Sequence, residues 1–274
     1  MQKIAKAILK LWKFCKSSLF LAFFVVKYLQ RFKKEDEKLL KTIIFDLDGT
    51  LCDTLDDIRT GVNSMLVRLG YKTRTRAELL KAINNGAREL VRRSLPKEVQ
   101  KIDFIVDSAL EIYASEYAKC YCQRTRAFDG IKNLLAELKS RDYKLAVLTN
   151  KQDAFAKTII EKIFGKGVFN MVVGQGAYPA KPNPTSVLAI ARALGSKPNL
   201  CIMIGDSDVD IKTGQNAQIE TIGVCWGYRE REVLEEIGAD HLVERPEEIL
   251  DIVDTIEARL QAEKDAKKLK KKQK

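Results

Sequence analysis

Histidine is almost missing from this chain: 274 residues hold one, His241. Six cysteines are present, but none is spaced Cys-x-x-Cys, so an ordinary His/Cys zinc cluster is excluded. Cys201 and Cys225 lie singly in apolar runs, as small buried hydrophobes do, and imply a reducing, cytosolic compartment. Long apolar runs are also lacking. The unbroken run Leu19–Val26 falls far short of the roughly 20 residues that span a bilayer. No small-residue cleavage site follows it, and Lys27 and Arg31 come directly after, so a secretory signal fits poorly. No internal repeat is evident, and low complexity is confined to the lysine-rich C-terminus. The central part of the chain lacks net basic charge. The whole chain carries +11, but residues 1–41 hold 11 Lys/Arg against 3 acids and residues 261–274 hold 7 Lys against 2 acids. Residues 42–260 are therefore near −2, which argues against a nucleic-acid footprint on the body, and no nucleic acid is expected as a partner.

What is present is a length and an apolar fraction, 46%, that suit one large or two modest domains with a real core. The chain is organised around Thr42-Ile43-Ile44-Phe45-Asp46-Leu47-Asp48-Gly49-Thr50. A short apolar run ending at a turn signal reads as a buried parallel strand. Side chains two apart in extended backbone share a face, so Asp46 and Asp48 point to one pocket while Leu47 returns to the core. Paired acids there suit a hard cation, a nucleophile or an acid/base pair; solvated turn aspartates are the plainer alternative.

Leu55 to Leu69 has helical spacing and ends at Gly70. Helical patterns then follow one another over Ala77–Ile83, Ala87–Leu95 and about Glu98–Tyr121, with no convincing strand before Phe128. Strands and helices alternate afterwards. The strands fall at Lys144–Leu148, Met171–Val173, Leu200–Ile204 and Glu220–Cys225. The helices fall at Ile131–Leu138, Ala154–Ile163, Pro184–Leu194, up to Ala217, and from Pro246 onward. Such alternation implies right-handed crossovers and a parallel sheet covered on both faces, with ligands at the carboxyl ends of the strands.

Asp46-Leu47-Asp48-Gly49-Thr50-Leu51-Cys52-Asp53-Thr54 resembles the first motif of the haloacid dehalogenase-like superfamily, phosphatase branch. The remaining three motifs follow in order. Leu148-Thr149-Asn150 matches the second, Ala180-Lys181-Pro182-Asn183-Pro184 the third, and Ile204-Gly205-Asp206-Ser207-Asp208-Val209-Asp210 the fourth. The resemblance covers residues 42 to about 245. It implies a doubly wound, Rossmann-like α/β core with an inserted α-helical cap, to which this chain adds an N-terminal helical extension. It implies a Mg2+-dependent phosphomonoester hydrolase acting on a small phosphorylated metabolite. Asp46 is then the nucleophile and Asp48 the general acid/base. Thr149, the backbone of Asn150, and Lys181 hold the phosphoryl oxygens. Mg2+ is held by Asp46, Asp206 and the backbone carbonyl of Asp48, while Asp210 orients metal-bound waters or Lys181 and Asp208 points outward. Asn84-Asn85-Gly86-Ala87-Arg88-Glu89-Leu90 resembles the cap loop of phosphoglycolate phosphatases; an ordinary Asn-Gly turn reads the same way. A dehalogenase has no need of a second carboxylate at position 48. A phosphonatase needs a cap lysine placed for a Schiff base, and Lys81 lies in an ordinary amphipathic helix. A sugar-phosphate phosphatase, a phosphomutase, or a membrane-surface binding protein without turnover stay open.

The expected division is 1–41 as basic helix and linker, 42–56 with 129–260 as core, 57–128 as cap, and 261–274 as lysine tail. In the first segment Lys3, Lys6, Lys10, Lys13 and Lys16 share one helical face, with Ile4, Ile8, Leu11, Trp12, Cys15 and Leu19 opposite. That is the pattern of a helix lying in an anionic membrane interface, so residues 1–34 are expected to make the enzyme peripheral on the cytoplasmic face of a membrane.

Overall fold

A computed structural model describes residues 39–176 and 178–272. The amphipathic segment expected over residues 1–34 lies outside the described residues.

The strand expected at residue 42 is β1 (Thr42–Phe45), and its four residues are all buried. It sits in the middle of a six-stranded parallel sheet. The other strands are β4 (Lys144–Gln152), β5 (Met171–Gln175), β6 (Cys201–Gly205), β7 (Glu220–Val224) and β8 (His241–Val243), in the order β5-β4-β1-β6-β7-β8. Every pairing in this sheet is parallel. Alternation assigns the two faces. Ile43, Phe45, Leu145, Val147, Ile202 and Ile204 pack on one side, against α5 (Ile131–Ser140), α6 (Asp153–Phe164) and α10 (Glu248–Lys272). Ile44, Ala146, Leu148 and Met203 pack on the other, against α7 (Thr185–Ala193) and the end of α8 (Asp208–Asn216). Both faces are apolar because both are covered, as a parallel sheet requires. The chain runs outward from β1 through β4 to β5, then returns to the other side of β1 with β6. The crevice at that reversal is where such sheets bind ligands.

Between β1 and β4 the chain forms α1 (Leu55–Arg68), α2 (Arg76–Ala82), α3 (Gly86–Ser94) and α4 (Asp103–Tyr117). These helices bury an apolar cluster of their own. Leu55, Ile58, Val62, Met65 and Leu66 form the stripe of α1 and meet Leu79, Leu90, Val91, Val106, Ala109 and Tyr113. A buried carboxylate ties the two ends of the insert together. Asp57 accepts hydrogen bonds from the Thr125 amide at 2.8 Å, the Thr125 hydroxyl at 2.7 Å and the Arg124 amide at 3.0 Å.

Four local expectations differ from the structure. The insert is not free of strand: β2 (Cys52–Asp53) and β3 (Arg126–Ala127) pair antiparallel across its ends, and two-residue strands carry no period to read. The long helix begins at Asp103 rather than near Glu98, because turns follow Pro96 through Val99 and Ile102. The short α9 (Arg231–Glu236) and the edge strand β8 were not anticipated. Finally, α10 runs unbroken through residue 260, where a separate tail was expected to begin, to Lys272.

Candidate active site

Parallel register sets the site. β4 and β6 flank β1, so their carboxyl ends bring Thr149, Asp46 and Asp206 to one crevice. Asp46 directly follows β1, and its amide continues the ladder by donating to the Ile204 carbonyl at 2.9 Å. Its side chain is nearly buried, and Lys181 Nζ lies 2.8 Å from Asp46 Oδ1. This is an ion pair rather than an aligned hydrogen bond, since that oxygen finds no hydrogen-bond partner among the described residues. The same ammonium donates to Asp210 Oδ1 at 2.5 Å. Asp210 in turn caps α8, where its Oδ2 accepts the Ser207 hydroxyl at 2.6 Å and amide at 3.2 Å. Asp206 is fully buried and accepts from the Tyr228 amide at 2.8 Å and the Thr50 hydroxyl at 3.1 Å.

Backbone geometry makes room for these carboxylates. Gly49 has φ +87°, and a Cβ there would stand 2.3 Å from Asp206 Oδ2. A Cβ at Gly205 would stand 2.2 Å from the Asp210 Cβ. Any side chain at either position would displace an acid, so both glycines are required for close approach, and Gly49 for turning as well.

Three carboxylates, those of Asp46, Asp206 and Asp210, have ligand oxygens within 4.8 Å of one another and are all buried. One lysine cannot balance three acids. Burial pushes the Asp46 carboxyl up to about 7; Lys181 opposes the rise, while Asp210 and Asp48 add to it. Burial, then Asp210 and Asp46, hold Asp206 well above the usual carboxylate range. Burial disfavours the charge on Lys181, but Asp210 and Asp46 outweigh it and raise the ammonium above its ordinary value. Buried hard oxygens with surplus negative charge fit a small divalent cation such as Mg2+.

The Asp48 carboxylate does not join that cluster. Its Oδ1 accepts the Thr54 hydroxyl at 2.6 Å, and Lys151 Nζ stands 2.9 and 3.0 Å from its two oxygens. Thr149 and Asn150 lie inside β4, not after it; the strand runs on to Gln152 with a break in register past Leu148. The Thr149 hydroxyl accepts from the Lys151 amide at 3.2 Å. The Asn150 side chain is used twice on the lysine segment, accepting the Lys181 amide at 2.8 Å and donating to the Lys181 carbonyl at 3.1 Å. Asp208 is partly exposed near Lys212 and Arg229, each at 3.8 Å. Lys81 is exposed on the outer side of α2 and does not line the crevice.

Sequence reasoning missed Lys151 and Tyr228. Lys151 adjoins a motif and could have been singled out by its position. Tyr228 could not: its hydroxyl accepts the Thr54 amide at 2.8 Å while its own amide holds Asp206, a link across 174 residues that only the fold creates. Above the acids a cavity of about 420 Å3 opens between the strand ends and the helical insert, with Asp46, Asp48, Lys151, Asn84 and Tyr117 in its lining.

An α/β sheet of this topology, with convergent acids at its switch point, places the chain among Rossmann-like α/β proteins. A family model described as haloacid dehalogenase-like hydrolase matches residues 43–224, and the chain belongs to that family. It is similar to the phosphoglycolate phosphatase of Psychrobacter arcticus, 34% identical over 199 residues that cover 70% of this chain and 85% of the relative. It is also similar to that of Aquifex aeolicus, 30% identical over 216 residues covering 78% and 97%. A solved candidate phosphoglycolate phosphatase from Lactobacillus delbrueckii subsp. bulgaricus superposes with a TM-score of 0.73 at 26% identity, covering 79% of this chain and 98% of that one.

Proposed function

We propose that this chain is a Mg2+-dependent phosphomonoester hydrolase of the phosphoglycolate phosphatase type, working through an aspartyl-phosphate on Asp46. The carrying observation is the pairing of two differently held acids two residues apart. Asp46 is buried beside Lys181 and the other carboxylates, and Asp48 faces the same cavity but is held by Thr54 and Lys151. Asp46 attacks phosphorus as the bond to the substrate's alcohol oxygen breaks, and Asp48 gives its proton to that oxygen. Asp48 then takes a proton from water, whose oxygen displaces Asp46 and releases phosphate. The Lys151 ammonium, 2.9 and 3.0 Å from the two Asp48 oxygens, fixes the position of that carboxyl group. Thr149, the Asn150 backbone and Lys181 hold the phosphoryl oxygens. Asp46, Asp206 and the Asp48 carbonyl would hold Mg2+, with Asp210 behind them. The ion supplies neutralisation of the phosphoryl and carboxylate charge. The helices α1 to α4 serve as a cap that excludes water.

Turnover of p-nitrophenyl phosphate should be readily measured with Mg2+ and fall at least about a hundredfold when a chelator removes it. Undiminished turnover in the chelator would remove the metal from the scheme. A phosphomutase would use the same acids but pass the phosphoryl group to a second hydroxyl. Release of inorganic phosphate at one equivalent per ester consumed separates the two.

A second proposal rests on sequence pattern alone. The basic and apolar faces of residues 1–34 suit peripheral attachment to an anionic bilayer, in keeping with a cytoplasmic enzyme. No helix among the described residues is long and apolar enough to cross a membrane. The full chain should co-sediment with anionic vesicles at low salt, and a chain starting at Glu35 should not. Equal behaviour of the two would reject the attachment.

A further inference from the structure

The phosphatase reading leaves the organic half of the substrate open, and the cavity above Asp46 constrains it. Its volume, about 420 Å3, lies in the range that encloses drug-sized ligands, roughly 300–1,000 Å3, and exceeds what a phosphoryl group with two carbons fills. The floor is polar, formed by the catalytic acids with Thr149, Lys151 and Lys181. The wall that the insert supplies is apolar: Ile58, Ile83, Leu90, Leu110, Tyr113 and Tyr117. Tyr113 stacks on Tyr117 at 5.4 Å, and Phe155 from α6 meets Tyr117 edge-on at 5.3 Å, so this wall is a rigid aromatic surface.

Among the described residues, the insert itself supplies no cation to meet a substrate carboxylate; the Lys151 ammonium of β4 stands 5.1 Å over the Tyr117 ring but already faces Asp48. Among the described residues of the insert, Glu111 is the one charged side chain lining the cavity, and it is exposed. The arginines of α3 are engaged elsewhere. Arg88 pairs with Asp103 and Asp107, Arg92 with Glu89 and Asp103, and Arg93 with Glu89 while donating to Asn85. Both floor lysines already face carboxylates: Lys151 that of Asp48, Lys181 those of Asp46 and Asp210. A hydroxy-acid ester would therefore press its carboxylate onto an apolar wall beside a glutamate, where an unpaired charge is costly. An uncharged polar atom fares better. The Asn84 amide nitrogen and the Tyr117 hydroxyl belong to lining residues, are buried, and have no partner among the described residues.

We propose that the cavity selects phosphate monoesters of uncharged, largely apolar or aromatic alcohols over esters of hydroxy acids such as phosphoglycolate, with Glu111 as the residue that repels the acid. This rests on the phosphomonoesterase reading. The test compares kcat/KM of the full chain, with Mg2+, for benzyl phosphate and for 2-phosphoglycolate. Both leave as aliphatic alcohols, so the ratio reports recognition of the organic group rather than leaving-group chemistry. Benzyl phosphate should be preferred at least tenfold. Glu111→Arg, on the exposed face of α4, should raise kcat/KM for phosphoglycolate at least fivefold and narrow that preference. A preference for phosphoglycolate in the unaltered chain would overturn the inference and leave the phosphatase reading standing. A preference that Glu111→Arg does not move would overturn the role of Glu111. Turnover of neither ester, nor of p-nitrophenyl phosphate, would remove the phosphatase reading and this inference with it.

Discussion

Asp46→Asn is expected to lower turnover by roughly 10^4-fold or more, since an amide cannot form the acyl-phosphate and a lost nucleophile is among the costliest deletions an enzyme suffers. The fold should persist, because the amide keeps the shape of the carboxylate. Stability should change in an informative direction. The Asp46 carboxyl is pushed up to about 7 by burial, so the folded protein binds a proton that the unfolded chain, with an ordinary carboxyl near 3.8, has already released. A group raised in the folded state contributes stability below its unfolded pKa and loses it as pH climbs through the folded one. In the absence of metal, the wild-type chain should therefore lose a few kcal/mol between about pH 4 and pH 7 through this group. The variant should lose less, and its advantage should grow toward pH 8. Denaturant titrations of both proteins in chelator, at pH 5 and pH 8, measure this. Activity above a few per cent of wild type would remove Asp46 as nucleophile. A pH-independent difference in stability would mean that its carboxyl is not held protonated.

Lys181→Met carries the second large effect, with the opposite sign for stability. The ammonium is the buried cation between Asp46 and Asp210, at 2.8 and 2.5 Å. Removing one partner of a buried pair costs about 3–5 kcal/mol, because the charge left behind has neither water nor a counter-ion. The metal-free variant should be destabilised by that order at pH 8. The loss should shrink toward pH 5, where the acids take up protons in place of the lysine. Turnover should fall by roughly 10^2–10^3, the usual cost of deleting one group that neutralises transition-state charge. Lys181→Arg should not restore it, since a planar fork does not fit where a compact ammonium reaches two carboxylates. A Met variant as stable as wild type in chelator at pH 8 would show that the acids do not depend on this cation.

The parts of the site legible in the sequence share a physical basis. Thr42 to Phe45 could be read as a buried strand because four apolar-tolerant residues end at a turn. The positions of Asp46 and Asp48 then followed from the two-residue period of extended backbone. The order of Thr149, Lys181 and Asp206 along alternating strands and helices was equally readable, because a parallel sheet puts all its carboxyl ends on one side. Less legible were features without a period: the two-residue strands β2 and β3, the three-residue β8, and the turns after Pro96.

The chain's sequence by itself determined where the main strands and helices fall, that the sheet would be parallel, and that acids would stand at its carboxyl ends. Local pattern encodes those matters, since burial and backbone period act over a few residues. Tertiary structure decided which acids share a cluster. Asp210 joins Asp46 and Asp206, while the Asp48 side chain turns to Lys151 and Thr54. It also decided that Tyr228 would brace Asp206 and that the insert would line the cavity with an apolar, aromatic wall. These depend on distances between segments far apart in the chain, and on the low-dielectric surroundings that only packing of those segments creates.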